Sequence, residues 1–354
     1  MPNKIHFLTK YSKKGASSRY RTFQYIDYFN EHFSTSIQSL FDDDYINNRY
    51  NSKYINPFTI IKSYFKRLIY LFKIRKNDIV YIEYEIFPYF PPVFENILKL
   101  FNIKFVLDFD DAIFHNYDLN NSFIIRILLK NKIPNIIKKA NIIITGSPYL
   151  TTYVKKYNEE VFEIPTSINF TKYDFSFQKR TSSDKFTIGW IGTRFTSKNI
   201  KLILGALNKF CTKYNVVVKL IGFDSSICPI NNPSIHSVNW NNESEIDELL
   251  SLDLGVMPLF DQPFERGKCG FKLIQYMACG LPTISTPLES NLKINHNNGN
   301  LFATTEIEWY DAFQYVFHNK EYFKKVGELN RDIISKFYSI ESNRIKYINI
   351  FNSI

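Results

Sequence analysis

Blocks of apolar and polar residues alternate along the first half of the chain. Short apolar runs that end in polar, Gly or Pro residues predict buried strands, at Lys4–Thr9, Asp78–Tyr84, Ile103–Phe109, Asn141–Gly146 and Val161–Pro165. Longer stretches with apolar residues three or four apart predict helices, at Ser18–Phe33, Ile60–Arg75, Pro92–Phe101, Ser122–Lys139 and Ser147–Tyr157. Strands that alternate with helices in this way favour a mainly parallel sheet covered by helices on both faces.

The second half repeats this alternation. Its predicted strands are Phe186–Ile191, Val216–Gly222, Asp253–Met257 and Pro282–Thr286, and its predicted helices are Lys198–Cys211, Glu243–Leu250, Phe271–Cys279, Ile307–His318 and Glu321–Ser335. We therefore expect an α/β protein with Rossmann-like domains at 1–165 and 185–335, a polar linker at 166–184 and a C-terminal helix over 336–354 that crosses back to the first domain. Two such domains leave a cleft at the carboxyl ends of their strands, where ligands bind in folds of this kind.

The hydrophobic content and the net charge of the chain limit the kinds of partner that we expect it to bind. The 354 residues are 45% hydrophobic and 22% charged, which is typical of a globular protein and not of a disordered chain. Lys and Arg total 44 against 34 Asp and Glu, so the net charge of +10 suits nucleic acid, an anionic membrane or a phosphate-bearing substrate. No nucleic-acid-binding motif accompanies the charge, so we predict no nucleic-acid partner.

The sequence contains no clear targeting segment and no cysteine pattern typical of an oxidising compartment. The four cysteines form no close pair, which argues against a disulfide framework and a structural zinc site. The N-terminal segment lacks the apolar stretch of a signal peptide, and no run of 18 apolar residues predicts a membrane span. We therefore expect a cytoplasmic protein.

Candidate chemistry concentrates at residues 265–282, which read ERGKCGFKLIQYMACGLP. A Gly-containing loop runs into a helix that begins near Phe271 and ends at Gly280. A helix N-terminus carries partial positive charge, and Lys268 and Lys272 add two cations beside it. The pattern predicts a diphosphate site, with an ordinary loop and helix bearing solvated lysines as the alternative.

This segment resembles the donor-binding signature of retaining family-4 (group 1) glycosyltransferases, whose GT-B fold has two facing Rossmann-like domains. The ending Met-Ala-Cys-Gly-Leu-Pro at 277–282 matches that family, as do Trp190-Ile-Gly-Thr-Arg194 with Lys198 and the turn Ile-Pro-Thr-Ser-Ile-Asn at 164–169. The resemblance implies that Arg194, Lys198 and Lys272 bind the phosphates of a nucleotide sugar. It also implies donor-binding roles for the residues around them, namely Gly15, Gly192, Thr193, Lys268, Cys269, Gly270, Phe271 and Gln275.

The acidic residues of that signature are displaced here. In the family, two acidic residues stand eight positions apart, and the second commonly holds the ribose of the donor. The matching positions in this chain are Gly267 and Gln275, while the nearest acid, Glu265, lies two residues early. We assign Glu265 to the catalytic residues as the group that contacts the donor sugar, and we expect Gln275 to bind ribose more weakly than a carboxylate would.

The loop after the first strand, Lys13 to Arg21, predicts a helix capped by Ser17 or Ser18. Arg19 and Arg21 fall in its first turn, where cations oppose the helix dipole, which indicates an anionic ligand or simply a solvated helix. The resemblance places this loop near donor and acceptor, so Ser18 and Arg19 are predicted to bind the acceptor.

Acidic residues end two predicted strands. Asp108, Asp110 and Asp111 allow three interpretations: Asp110 and Asp111 bind the acceptor, the cluster is a structural turn, or Asp108 and Asp110 form the metal-binding DxD pair of GT-A enzymes. Glu83 and Glu85 share a face of the previous strand and either meet the acceptor or cap the next loop.

The helix predicted within Ile60–Lys76 is basic and amphipathic, with Lys62, Lys66, Lys73 and Lys76 on one side and Ile61, Phe65, Leu68 and Phe72 on the other. Such a helix lies on an anionic membrane or packs its apolar side on the core. The first interpretation predicts peripheral association with the inner face of the cell membrane.

Together these features predict an enzyme that transfers a sugar from a nucleotide-diphosphate sugar to a glycan or lipid-linked acceptor in bacterial surface polysaccharide assembly. The resemblance implies retention of anomeric configuration, with no metal and no other cofactor. Three hypotheses remain beside it: a nucleotide-sugar epimerase of the same fold, a non-catalytic sugar-nucleotide-binding partner, and a metal-dependent GT-A enzyme.

Overall fold

The computed structural model describes residues 4–50, 53–177 and 185–354. The chain divides into two compact units. The first comprises Met1–Ser167, Arg266–Cys269 and Asn343–Ile354, and the second comprises Ile168–Glu265 and Gly270–Ser342. Residues 178–184 of the predicted linker lie outside the described residues.

The first unit is built on a parallel six-stranded sheet in the order β2-β1-β3-β4-β5-β6. The strands are β1 (Ile5–Tyr11), β2 (Thr35–Phe41), β3 (Ile79–Glu83), β4 (Lys104–Phe109), β5 (Ile142–Thr145) and β6 (Val161–Glu163). The helices are α1 (Ala16–Arg21), α2 (Ile26–His32), α3 (Asp43–Tyr50), α4 (Pro57–Leu71), α5 (Val93–Leu100), α6 (His115–Asp118), α7 (Phe123–Leu129), α8 (Lys132–Ile137) and α9 (Pro148–Val154). A 3₁₀ turn at Phe23–Tyr25 joins α1 and α2.

The second unit contains a second parallel six-stranded sheet, in the order β12-β11-β10-β7-β8-β9. The strands are β7 (Phe186–Ile191), β8 (Val216–Ile221), β9 (Ile235–Val238), β10 (Leu254–Met257), β11 (Thr283–Ser285) and β12 (Leu301–Phe302). The helices are α10 (Phe170–Phe177), α11 (Leu204–Lys213), α12 (Glu245–Leu250), α13 (Pro263–Arg266), α14 (Phe271–Ala278), α15 (Glu289–Ile294), α16 (Glu306–His318) and α17 (Lys320–Phe337), followed by α18 (Ile340–Ser353).

Several elements differ from the prediction. The stretch assigned to a linker contains α10, whose Tyr173 is buried in the second unit. The helix predicted from Lys198 to Cys211 is a 3₁₀ segment, Arg194–Leu202, followed by α11. Strands β2, β9 and β12 were missed because they lie toward the sheet edges and are only partly buried, so their sequences lack a continuous apolar run.

Residues 343–354 of α18 complete the core of the first unit. The Phe351 ring contacts Phe7 and Phe29, with centroids 6.0 and 5.5 Å apart, both edge to face. Tyr347 packs on Tyr25 with centroids 5.0 Å apart. Edge-to-face aromatic pairs add attraction beyond the burial of their area, so this helix is an integral part of the first unit.

A buried ion pair joins α1 to the sheet of the first unit. The Arg21 guanidinium donates from Nε and Nη2 to the Asp108 carboxylate, at 2.9 and 2.6 Å, and both side chains are 1% exposed. Its Nη1 donates to the Ile164 carbonyl at 2.7 Å, and the Tyr81 hydroxyl also donates to Asp108. Arg21 and Asp108 therefore serve the fold, and the Asp108 carboxylate is fully engaged.

Within the described ranges, no helix combines the length and apolarity that a membrane crossing demands. The same part of the chain holds no group of three or more His, Cys, Asp or Glu side chains placed to bind a metal ion.

Candidate active site

Helix α14 lies at the centre of the candidate site, and glycines mark both of its ends. Gly270, the residue before it, has φ 68°, and Gly280, just beyond its end, has φ 70°. Both φ values lie in the left-handed region, which residues other than glycine rarely adopt. The helix begins and ends where the sequence predicts, and its residues from Leu273 to Ala278 are buried. This packing fixes the position of the α14 N-terminus in the second unit.

Lys272 in the first turn of α14 contacts the end of β7. Its Nζ lies 4.4 Å from the centroid of the fully buried Trp190 ring and 3.4 Å from Thr196 Oγ1. A cation above an aromatic face is attracted by the ring quadrupole. The ammonium is therefore held beside the turn that follows β7.

That turn carries the other predicted phosphate ligands of the second unit. Thr193 caps the 3₁₀ segment in a reciprocal capping box with Thr196, next to Gly192, where a Cβ would lie 2.6 Å from Thr196 Oγ1. Lys198 Nζ is 3.0 Å from Glu265 Oε1, and the Glu265 side chain is buried. Arg194 Nε is 3.4 Å from Asp224 Oδ2. The structure thus brings Lys198, Glu265 and Lys272 to one edge of the sheet.

Gln275 belongs to a hydrogen-bond network that the sequence did not indicate. Its Nε2 donates to Glu245 Oε1 at 2.8 Å, and the Tyr173 hydroxyl lies 3.4 Å away. Trp240 Nε1 donates to the second oxygen of Glu245 at 2.5 Å. Sequence reasoning missed Glu245 and Trp240, because neither lies in a motif and the contact joins α14 to the segment after β9.

Several predicted site residues belong to the first unit. Lys268, expected on the donor diphosphate, instead pairs with Asp111, with 2.7 Å between Nζ and Oδ1. Burial opposes the charge of Lys268, but Asp111 outweighs this effect and raises the pKa of the ammonium. Cys269 is held in the same segment, and burial raises the pKa of its thiol to about 11.

Ser18 does not cap α1 as predicted, because Gly15 occupies the N-cap position. Ser18 is fully buried, and its hydroxyl donates to Glu83 at 2.6 Å, so it does not present a hydroxyl to an acceptor in this conformation. Arg19 lies over the Tyr20 ring, with 4.8 Å between its Cζ and the centroid. Of the loop residues, Arg19 remains a candidate for acceptor binding.

The other acidic residues of the first unit are held in hydrogen-bond networks. Tyr84 donates to Asp110, and burial, with the neighbouring Asp111, raises the pKa of Asp110 to about 6. Burial, with the nearby Asp110, raises the pKa of Glu83 to about 8. Glu85 pairs with Lys132 and accepts from Tyr117, which makes it structural.

Part of the second unit matches a known protein family. Residues 185–319 match the family model for group 1 glycosyl transferases. A search of curated protein sequences finds no significant match.

Solved structures resemble the whole chain. A glycosyltransferase from Rickettsia africae superposes with a TM-score of 0.70 at 15% identity, covering 99% of this chain and 98% of that one. Sucrose-phosphate synthase from Thermosynechococcus elongatus gives 0.71 at 11% identity, over 99% and 98% of the two chains. Anabaena Alr3699/HepE in complex with UDP-glucose gives 0.69 at 12% identity, over 99% and 100%.

Residues 185–319 therefore match the group 1 glycosyltransferase family, and the chain has the GT-B fold. These findings confirm the group 1 match and the fold that the resemblance implied.

Proposed function

We propose that the protein transfers a sugar from a nucleotide-diphosphate sugar to a glycan or lipid-linked acceptor, with retention of configuration, in bacterial surface polysaccharide assembly. The observation that carries the proposal is the convergence of Lys272, Lys198 and the α14 N-terminus at the carboxyl edge of the second sheet. A group 1 glycosyltransferase domain spans these residues, and a structural neighbour holds UDP-glucose.

In this proposal, negative charge grows on the diphosphate as the bond to the sugar breaks. Lys198, Lys272 and Arg194 stabilise that charge together with the partial positive charge of the helix N-terminus. Because Glu265 is buried and paired with Lys198, it also fixes the position of that ammonium. The acceptor hydroxyl attacks from the face that the nucleotide leaves, and the cations of the chain take the place of a metal.

A panel of nucleotide sugars tests donor binding. We expect at least one of the UDP, GDP, ADP or CMP sugars to raise the melting temperature, because a ligand that binds only the folded state stabilises it. The shift is expected to persist with a chelator present. If no nucleotide sugar moves the transition, the proposed activity is wrong; if the chelator removes the shift, the metal-free mechanism is wrong.

We also propose that the first unit rests on an anionic membrane surface. The predicted apolar side of α4 faces the core only in part: Leu68 packs against the core, but Phe72 is 83% exposed, and Ile61 and Phe65 are exposed as well. Phe58, in the first turn, is 76% exposed. Strand order and right-handed crossovers place α5 and α7 on the same face of the sheet as α4. Those two helices add further exposed apolar side chains, namely Leu100, Phe123, Ile124, Ile127 and Leu128.

Charge favours a lipid surface over a protein partner for this face. Residues 57–76 contain six Lys or Arg and no Asp or Glu, and 119–139 contain five Lys or Arg and no Asp or Glu; of these eleven cations, Arg67 and Lys132 are buried and do not contribute to the surface. Exposed apolar side chains interleaved with cations match the boundary of an anionic bilayer.

Sedimentation with vesicles tests this surface. The protein is expected to pellet with vesicles rich in phosphatidylglycerol and to stay in solution with phosphatidylcholine, because each exposed lysine adds attraction to anionic lipid. The double variant Phe65→Ser/Phe72→Ser is expected to lose pelleting, whereas Ile307→Ser, an equally exposed apolar residue on α16, keeps it. Equal pelleting of the double variant and the wild type would contradict the proposal.

A further inference from the structure

The loop between β3 and α5, residues 84–92, follows the carboxyl end of a central strand of the first sheet. Among the described residues, four that are not glycine have positive φ, and two of these are asparagines, which tolerate this conformation. The other two are tyrosines of this loop, Tyr84 with φ 65° and Tyr89 with φ 56°. A bulky side chain in the left-handed region costs free energy, and such strain persists where the surrounding structure imposes it, often at ligand sites.

Side chains from four different helices each hold one backbone group of residues 86–89. These hydrogen bonds, of 2.6 to 3.0 Å, join Ile86 N–H to Glu95 of α5, Lys132 of α8 to the Phe87 carbonyl, Tyr64 of α4 to the Pro88 carbonyl, and Tyr89 N–H to the Tyr117 hydroxyl of α6. Glu95, Lys132 and Tyr117 are buried, where a hydrogen bond left unmade is costly. The first unit itself therefore holds the loop in one conformation.

The two strained tyrosines differ in the surroundings of their rings. The Tyr84 ring is buried and its hydroxyl donates to Asp110, so packing accounts for that residue. The Tyr89 ring packs edge to face on Tyr117, with centroids 5.4 Å apart, yet its side chain is 55% exposed. Glycine would fit the Tyr89 backbone at lower cost, so the stability of the fold does not explain a tyrosine there. The adjacent Phe90 is 44% exposed and extends the aromatic surface.

The chemistry of this surface suits a neutral sugar ring. Residues 84–98 contain no Lys or Arg, and their two acids, Glu85 and Glu95, are buried. These residues therefore offer a charged ligand no exposed counter-charge, in contrast to the cation-rich face of α4 and α7. The negative face of an aromatic ring attracts the weakly positive C–H groups of a pyranose, and a tyrosine held rigidly loses little conformational entropy on contact.

We propose that Tyr89, with Phe90 beside it, forms a platform on which a pyranose ring of the acceptor stacks. The position of the loop after the carboxyl end of β3 supports this assignment, because ligands of parallel α/β sheets bind at that edge. The inference rests on the proposed function, which supplies a saccharide as the acceptor. It names the part of the acceptor that the first unit recognises.

Saturation-transfer NMR with the methyl glycosides of glucose, galactose, mannose and N-acetylglucosamine tests the platform. At least one glycoside is expected to bind the wild type through its C–H protons. Tyr89→Ala is expected to weaken that binding about tenfold, the size of one aromatic contact. Tyr89→Phe keeps the ring and is expected to keep the binding. Tyr322→Ala removes an equally exposed tyrosine from α17 and is expected to bind as the wild type does.

A matched pair of substitutions separates the ring from the strained backbone. Tyr89→Gly and Tyr89→Ala both lack the ring, so both are expected to lose glycoside binding. Because only glycine adopts positive φ freely, Tyr89→Gly is expected to melt at a higher temperature than Tyr89→Ala. The reverse order of melting would overturn the inference, since the tyrosine would then occupy a relaxed backbone. A folded Tyr89→Ala protein with unchanged binding, or a wild type that binds none of the four glycosides, would overturn it as well.

Vesicle sedimentation distinguishes a sugar platform from an extension of the membrane surface. Tyr89→Ala is expected to pellet with phosphatidylglycerol vesicles as the wild type does, because residues 84–98 carry no cation. Loss of pelleting with unchanged glycoside binding would assign Tyr89 to the lipid and overturn the inference. Failure of every nucleotide sugar to raise the melting temperature would overturn the proposed function, whereas a failure confined to the glycosides would leave donor binding standing.

Discussion

Replacing Lys272 with alanine is expected to reduce sugar transfer by about 100-fold or more while the melting temperature stays close to that of the wild type. Loss of one group that stabilises charge in the transition state typically has an effect of about this size. The fold is expected to survive because Lys272 is only half-buried, and the buried residues of α14, from Leu273 to Ala278, are unchanged. The measurement is nucleotide release from the donor sugar that stabilises the protein most.

Two further variants complete this test. Lys272→Arg keeps the cation and is expected to retain part of the activity. Lys201→Ala removes an exposed lysine from the neighbouring 3₁₀ segment and is expected to leave the rate unchanged. An Lys272→Ala protein with full activity and unchanged melting would refute the diphosphate assignment.

The largest expected effect on stability is that of Asp108→Asn. This change leaves the Arg21 guanidinium buried without its counter-charge, and breaking a buried pair from one side costs about 3–5 kcal/mol. Denaturant titration followed by circular dichroism measures the loss. Tryptophan emission does not report on this unit, since Trp190, Trp240 and Trp309 all belong to the second unit.

A pair that is half-exposed on both sides provides the control. Asp43 pairs with Lys14, and the two side chains are 50% and 52% exposed. Asp43→Asn is expected to cost at most about 1 kcal/mol, as is usual for solvated pairs. Equal losses in the two variants would show that burial of the Arg21–Asp108 pair is not what makes it important.

The apolar pattern was sufficient to predict the elements that are buried on both sides. Strands β3, β4 and β7 are continuous apolar runs flanked by polar residues, and the sequence placed them within one or two residues. Strand β2 reads TSIQSLF and is only partly buried. Polar side chains are therefore tolerated along it, and the sequence shows neither a continuous apolar run nor a clear alternation of apolar and polar residues. Helix α10 was missed for a related reason, since Tyr173 is the one buried side chain among those that the structure describes in this helix.

The candidate site was predicted only where it is local in sequence. Glycines at both ends and a lysine in the first turn revealed α14, and the turn after β7 lies within a few residues of its own motif. The contacts of Lys268 with Asp111 and of Gln275 with Glu245 join residues 157 and 30 positions apart. Such pairings depend on how the helices and strands pack together, so they cannot be predicted from the spacing of residues along the chain.

The aromatic side chains of residues 343–354 have a consequence for how the protein is made. The strands of the first unit are translated long before Tyr347 and Phe351. During most of synthesis, therefore, these two side chains do not yet cover Phe7, Phe29 and Tyr25, which remain exposed. The nascent first unit therefore exposes a hydrophobic aromatic surface that chaperones can bind. The core of this unit is completed only after the intervening second unit has been translated.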